Sequence, residues 1–372
     1  MSEEVDHIPS PVPQKKPVVP IGVAIAAGVL IIAVGAYAGL QARSQKASDD
    51  AAHGNLPLGQ TKPVAATPDV VNRDTSGLSG MPCEHPNRRP IGVMVAGDPI
   101  NRPISGFSAA DMVFEVPVLV SDVTRLTAVY QCGEPTEIGS VRSARHDYLF
   151  LLDGIDGIMA HWGGSYWALN RIAAGEFQTI NALQNPNNAF FRKSNLPAPY
   201  NGFTTYARLW DTLQKLGYRA ETQFKGYDFK DDASLDQRPA GGTLTVGWPG
   251  AFKVSYEYNQ TTNRYERYWA GVKQFDGADK RLIAPSAVAI MSATNEYADG
   301  PGGYNDMGIE GSGNLAVYQD GKVINGKWVK NELDKKDPIH FLDAQGNPIT
   351  FTRGQVWVMA VEPTISVTWT AK

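Results

Sequence analysis

The hydrophobic pattern divides the chain into three regimes. Val18 to Leu40 carries no charged residue and is long enough to cross a bilayer as a helix. Residues 41–80 are built of Ala, Asp, Pro, Ser, Gly and Thr and read as a tether. Short apolar runs follow at Pro90–Ala96, Met112–Val116 and Thr124–Tyr130, rich in β-branched residues and expected as neighbouring strands. Helical signals come next. Ser140 or Ser143 is placed to cap a helix through Leu152, and Ser165 one through Ile172. Thr204 to Leu216 repeats apolar residues at helical spacing and is stopped by Gly217. From Gly242 the period changes to two: Thr243–Val246, Lys253–Tyr258, Arg264–Trp269, Val288–Ser292, Leu315–Tyr318, Lys322–Trp328 and Gln355–Val361 all read as strands. Asp320-Gly321 is a hairpin turn signal.

These elements predict a fold of the α+β or mixed α/β class. A cytoplasmic tail (1–17), an anchor helix (18–40) and a disordered tether (41–80) precede a mixed α/β domain over 83–230. A mostly antiparallel β-domain follows over 240–365, with residues 219–240 as the boundary. A short tail and a long C-terminal part favour an N-in signal anchor, which places the folded domains on the extracytoplasmic side. Ala36-Tyr-Ala38 followed by Gly39 also resembles a signal-peptidase site, so cleavage after Ala38 stays open.

Composition narrows the partners. A net charge of -4 and a pI near 5.9 argue against general nucleic-acid binding. The two cysteines, Cys83 and Cys132, flank the first three expected strands. Outside the cytoplasm such a pair is readily oxidised, and a bridge would pin the domain's entry to its sheet; two thiols are the alternative. Cys83-x-His85 has no matching second pair, so no metal site is expected. No Walker loop, dinucleotide fingerprint or His-Glu-x-x-His is present, and no cofactor is expected.

The chemistry concentrates in Glu137–His146 and in His161-Trp-Gly-Gly-Ser165. Arg142 and Arg145 offer two bidentate forks, and a helix beginning near Ser140 or Ser143 places both in its first turn. Two cations at the positive end of a helix call for a negative group. The candidates are Asp111, Glu115 or Glu137 from within the protein, or a ligand anion. Gly163 and Gly164 admit close approach to the backbone beside His161. Glu115 and Arg125 form either an ion pair across the sheet or part of the site's lip. The candidate ligand-binding set is therefore Arg125, Ser140, Arg142, Ser143, Arg145, His161, Gly163, Gly164, Ser165 and Asn201. His161, Ser165 and Glu115 are the candidates for catalysis, as base, nucleophile and orienting carboxylate.

Several stretches, taken together, resemble the YerB-like bacterial envelope proteins, a two-part family of unknown function. They are Arg89-Pro-Ile-Gly-Val-Met-Val95, Arg102-Pro with Ser105-Gly, Ala110-Asp-Met-Val-Phe-Glu115, Thr124-Arg125, Gly139-Ser-Val-Arg-Ser-Ala-Arg145 and His161 with its Gly-Gly-Ser. In the second half they are Gly311-Ser-Gly, Gly321-Lys322, Trp328 with Lys330, and Gly354-Gln-x-Trp357. The resemblance implies an envelope location and a division into two parts. Members are typically anchored by a lipidated Cys, for which this chain has an apolar segment, and their His-Asn pair stands here as Tyr200-Asn201. Three functions follow as expectations: a membrane-tethered module binding an anionic envelope ligand, a wall hydrolase or transferase using His161, or a scaffold docking an envelope protein.

Overall fold

The computed structural model describes residues 73–121, 123–298 and 303–372. The expected tail, the anchor helix over 18–40 and residues 41–72 of the tether lie outside them. No helix among the described residues is long and apolar enough to cross a membrane.

Strands Ile91–Ala96, Met112–Pro117 and Thr124–Tyr130 are buried along their whole length, which requires a sheet covered on both faces. Thr124–Tyr130 lies between the other two and pairs antiparallel with both. Ile158–His161 and Thr179–Asn181 extend the sheet in parallel beyond Ile91–Ala96. On its other side Val356–Val361 pairs parallel with Met112–Pro117, Glu115 lying opposite Met359. Ala287–Ser292, Gly311–Gln319, Lys322–Lys330 and His340–Asp343 complete a ten-stranded sheet. Each half of the chain supplies five of its strands, and the described residues fall in one compact unit. The boundary expected at 219–240 thus separates two stretches of sequence that share a sheet.

A five-stranded antiparallel sheet covers one face. It comprises Gly241–Val246, Val254–Asn259, Arg264–Trp269, Val272–Lys273 and Val367–Ala371. Alternation along the central strands sorts their side chains between two cores. Val93, Val113 and Trp357 join Leu244, Tyr256 and Trp269 beneath the second sheet, while Met94, Phe114 and Val358 join Tyr148, Leu149 and Leu152 on the opposite face.

Three helices occur among the described residues: α1 (His146–Gly154), α2 (Tyr166–Ala173) and α3 (Tyr206–Lys215). Against them stand twenty-two strands. The protein is mainly β, which corrects the α+β or mixed α/β expectation. The helices are single short elements laid on sheet faces, too few to form a layer of their own. Two further expectations change. Gly311-Ser-Gly313, read as a turn or ligand loop, opens the Gly311–Gln319 strand. A Cβ at Gly313 would lie 2.5 Å from Trp328 Nε1, whose indole donates to Ser292 O at 2.9 Å. The last residues of the expected tether are packed. Leu78 is fully buried, Ser79 donates to Asp111 Oδ1 at 2.7 Å, and the Arg73 guanidinium donates to the Phe224 carbonyl.

The Asp320-Gly321 turn forms as expected, both residues at positive φ (51° and 69°), as a two-residue hairpin of the primed type requires. Cys83 and Cys132 form a disulfide with Cα atoms 5.9 Å apart.

Candidate functional site

The Arg142–Arg145 segment does not begin a helix. α1 starts at His146, with Arg145 as its N-cap residue and no side-chain cap. Ser140 and Ser143 therefore cap nothing. The segment is extended and lies between two backbones: Arg142 N donates to Met94 O at 2.8 Å, and Trp162 N donates to Arg142 O at 2.9 Å. Ala144 N donates to Gly163 O at 2.9 Å, and Ser165 N donates to Ala144 O at 3.0 Å. The two stretches singled out in the sequence are thus neighbours, joined through main chain. Gly163 takes φ +66°, which favours glycine, whereas a Cβ at Gly164 would meet that of Ala144 in ordinary contact at 3.5 Å. Ser165 does cap α2, its hydroxyl accepting from Ala168 N at 3.3 Å.

Three arginines meet at this segment. Arg125 Nη1 donates to Ser143 O at 3.0 Å, and Arg145 Nη1 donates to Ala144 O at 3.0 Å. Arg142 makes no side-chain hydrogen bond among the described residues and stacks 4.8 Å over the Tyr200 ring; Arg145 lies 4.7 Å over Tyr304. Arg125 and Arg145 are buried and Arg142 is half-buried. The Nε atoms of all three are buried without a partner. Burial first, then repulsion from Arg145 and Arg142, pushes Arg125 down to about 9. Burial also lowers Arg145. No ion pair among the described residues includes any of the three.

The internal anions expected to neutralise this cluster are committed elsewhere. Glu115 is fully buried and accepts both Arg267 Nη2 contacts, at 3.0 and 2.9 Å, together with Trp357 Nε1 at 2.9 Å. It cannot reach Arg125 because Arg125 is paired with Val116, and residues opposite one another share a face. Adjacent Glu115 faces the other way. Asp111 accepts the main-chain amides of Gln131, Cys132 and Gly133, and Glu137 pairs with Lys193 at 2.9 Å. The charge of Asp98 bears on Arg125 without an ion pair between them, and Asp98 accepts from Tyr200 OH at 3.3 Å.

His161 has no exposed surface, and its Nδ1–H donates to Gly163 O at 2.6 Å; Nε2 has no partner. No hydrogen bond links it to Ser165 or Glu115 among the described residues. Asn201 turns away, its Oδ1 accepting from Arg192 Nη1 at 2.6 Å. The Ser140 hydroxyl is buried and unpartnered. Burial holds His161 down to about 4, opposed by its bond to Gly163, against an ordinary 6.5. The folded state therefore keeps the ring neutral. Its stabilising share is complete above pH 6.5 and is lost as pH falls through 4, a loss of about 3 kcal/mol. His161→Asn retains a donor for Gly163 and should flatten this part of the stability curve. Denaturant midpoints between pH 7 and 4 check it, and an unchanged slope would refute the assignment.

Tyr304 and Asp306 were not recognisable from sequence, because they reach α1 from about 160 residues away. His146 Nε2 lies 3.0 Å from both Asp147 Oδ1 and Asp306 Oδ1. Their three ligand atoms fall within 4.8 Å of one another, a grouping of metal-ligand residue types without a sequence motif. Burial raises Asp147 to about 7, and the neighbouring His146 opposes it. At the other end of α1 lies a cavity of about 510 Å³. Phe224, Tyr227, Phe341 and Ile349 wall it, and none of the three arginines reaches it.

The comparisons cover both halves of the described chain. Residues 75–219 match the model described as "Protein of unknown function (DUF3048) N-terminal domain", and residues 244–358 match the corresponding C-terminal domain. A protein named "Putative lipoprotein YerB" from Bacillus subtilis (strain 168) is 28% identical over 303 residues, covering 80% of this chain and 88% of its own. The crystal structure of the YerB protein from Bacillus subtilis superposes with a TM-score of 0.70 at 26% identity, over 79% of this chain and 99% of that one. The order of the two parts and the shared fold agree, and the chain belongs to this two-part, YerB-like family of unknown function.

Proposed function

We propose that this protein is an extracytoplasmic envelope protein that binds an anionic envelope ligand at Arg125, Arg142 and Arg145. One observation carries the reading: three clustered guanidinium groups lack a carboxylate partner, while Glu115, Asp111 and Glu137 are bound elsewhere. Each guanidinium carries five N–H donors, and among the described residues Arg125 and Arg145 use one bond each and Arg142 none. Tyr200 and Tyr304 support the planes from one side and leave the edges to a ligand. Such unneutralised cations are costly to bury unless an anion joins them.

The relative's name supports a membrane-associated location, and the Cys83–Cys132 bridge suits an oxidising compartment. Residues 18–40 supply a charge-free span of sufficient length for a single-pass anchor with the folded part outside. His161 is buried and unlinked to Ser165 or Glu115, which leaves the hydrolase reading without a supporting contact.

Arg142 gives the cleanest test because the fold uses its main-chain hydrogen bonds and, among the described residues, none from its side chain. Arg142→Ala is expected to weaken retention on purified wall fragments roughly tenfold, the effect of one charge-assisted contact, with the unfolding midpoint unchanged. Retention equal to that of the unaltered protein would remove the arginines from the binding site.

A further inference from the structure

We infer that the group held at the three arginines is a doubly charged phosphoryl group, as in a phosphomonoester or the end of a diphosphate, and not a carboxylate. The inference rests on the anion-binding reading and goes further by choosing the anion. Three features lead to it.

The first is the number of forks. A carboxylate has two oxygens with about four acceptor directions in one plane, fewer than three guanidinium forks can use. A terminal phosphoryl group presents three oxygens with more than one acceptor direction each, enough to engage Arg125, Arg142 and Arg145 together.

The second is charge. The acids whose charges bear on the cluster are Asp98, at Arg125, and Asp147, at Arg145; Asp147 contacts His146 at 3.0 Å, and neither acid pairs with an arginine of the cluster. Two acids against three guanidinium groups leave the cluster net positive, and a ligand with two negative charges is drawn to it more strongly than one with a single charge.

The third is the main chain. Arg145 is the N-cap residue of α1, a helix of nine residues without a side-chain cap. The first-turn amides of His146, Asp147 and Tyr148 find no protein acceptor among the described residues. A helix start of this kind favours phosphate oxygens through its unsatisfied N–H groups and its positive end. The helix end alone would not identify a site. Here Arg125 and Arg145, each at least nine-tenths buried, donate to the successive carbonyls of Ser143 and Ala144 just before the helix and keep unpartnered Nε atoms.

Calorimetry on the purified full chain at low ionic strength tests this, using inorganic phosphate, pyrophosphate, acetate and succinate as probes. Pyrophosphate is expected to bind more tightly than phosphate, and both at least tenfold more tightly than either carboxylate. Arg125→Lys and Arg145→Lys keep the charges but remove the forks, and each should weaken pyrophosphate binding about tenfold. Thermal melts of each variant establish that it is folded. Acetate or succinate binding as tightly as pyrophosphate, with loss in the same variants, overturns the phosphoryl assignment and leaves anion binding standing. No binding of any probe, with wall-fragment retention indifferent to Arg142→Ala, overturns both. Pyrophosphate binding that is unchanged in every arginine variant also overturns the inference, since the anion then sits elsewhere.

Discussion

Glu115→Ala, with Arg267 left in place, is expected to destabilise the protein by about 3–5 kcal/mol, the usual result of removing one partner from a buried ion pair. Both side chains are fully buried. Glu115 stands on the central sheet and Arg267 on the second, so their two contacts of 3.0 and 2.9 Å tie the layers together. Trp357 Nε1 and the Thr124 hydroxyl also donate to the carboxylate, at 2.9 and 3.2 Å. The guanidinium lies 4.2 Å over Trp269 and 4.7 Å over Trp357, and its Nε donates to Tyr256 OH at 3.3 Å. Truncating Glu115 strands that cation between two tryptophans and orphans the indole N–H. Arg267→Met in the same chain should restore much of the loss, since replacing both ions by apolar groups avoids desolvating either. Urea unfolding of the single and double variants measures both effects. A loss below about 1 kcal/mol for Glu115→Ala, the level of an exposed pair, would show that the two layers do not depend on this contact.

Reducing the Cys83–Cys132 bridge should lower stability by about 4 kcal/mol on the chain-entropy model, given its sequence separation of 49. The closed loop contains the first three strands of the central sheet, so its release enlarges the unfolded ensemble directly. The native geometry around Cys132 is held independently. Asp111 Oδ2 accepts the amides of Gln131, Cys132 and Gly133 at 2.9, 2.9 and 3.2 Å. Asp111 Oδ1 holds Ser79 from the segment before Cys83. The reduced protein is therefore expected to keep its fold at low denaturant and to unfold earlier. Guanidinium titrations with and without reductant, compared with Cys83→Ser, provide the measurement. Coincident midpoints would place the loop's order in the Asp111 network alone.

Most strands were legible because period and burial coincide there. Ile91–Ala96 and Val356–Val361 are continuous apolar runs because both of their faces are covered. Val254–Asn259 and Arg264–Trp269 alternate because one face meets solvent. The helices were legible too, since α3 buries Tyr206, Leu209 and Leu213 at helical spacing. Their start was harder to read. Arg142 and Arg145 resemble first-turn residues in sequence, yet main-chain bonds to Met94, Gly163 and Trp162 hold this segment extended. Those partners come from the Ile91–Ala96 strand and from the turn that follows Ile158–His161, and local propensity carries no information about them.

The sequence by itself determined the strand periods, the Asp320-Gly321 hairpin, the helix cap at Ser165, and the arginines and cysteines as the residues to watch. These depend on side-chain type and on neighbours within a few positions. Only the tertiary structure decided that the two halves join in one sheet, because the parallel register of Met112–Pro117 with Val356–Val361 spans more than two hundred residues of chain. It likewise decided which acid serves which cation. Alternation turns Glu115 toward Arg267 and Arg125 toward Ser143. That separation by one residue and one sheet face leaves the three arginines without a carboxylate partner.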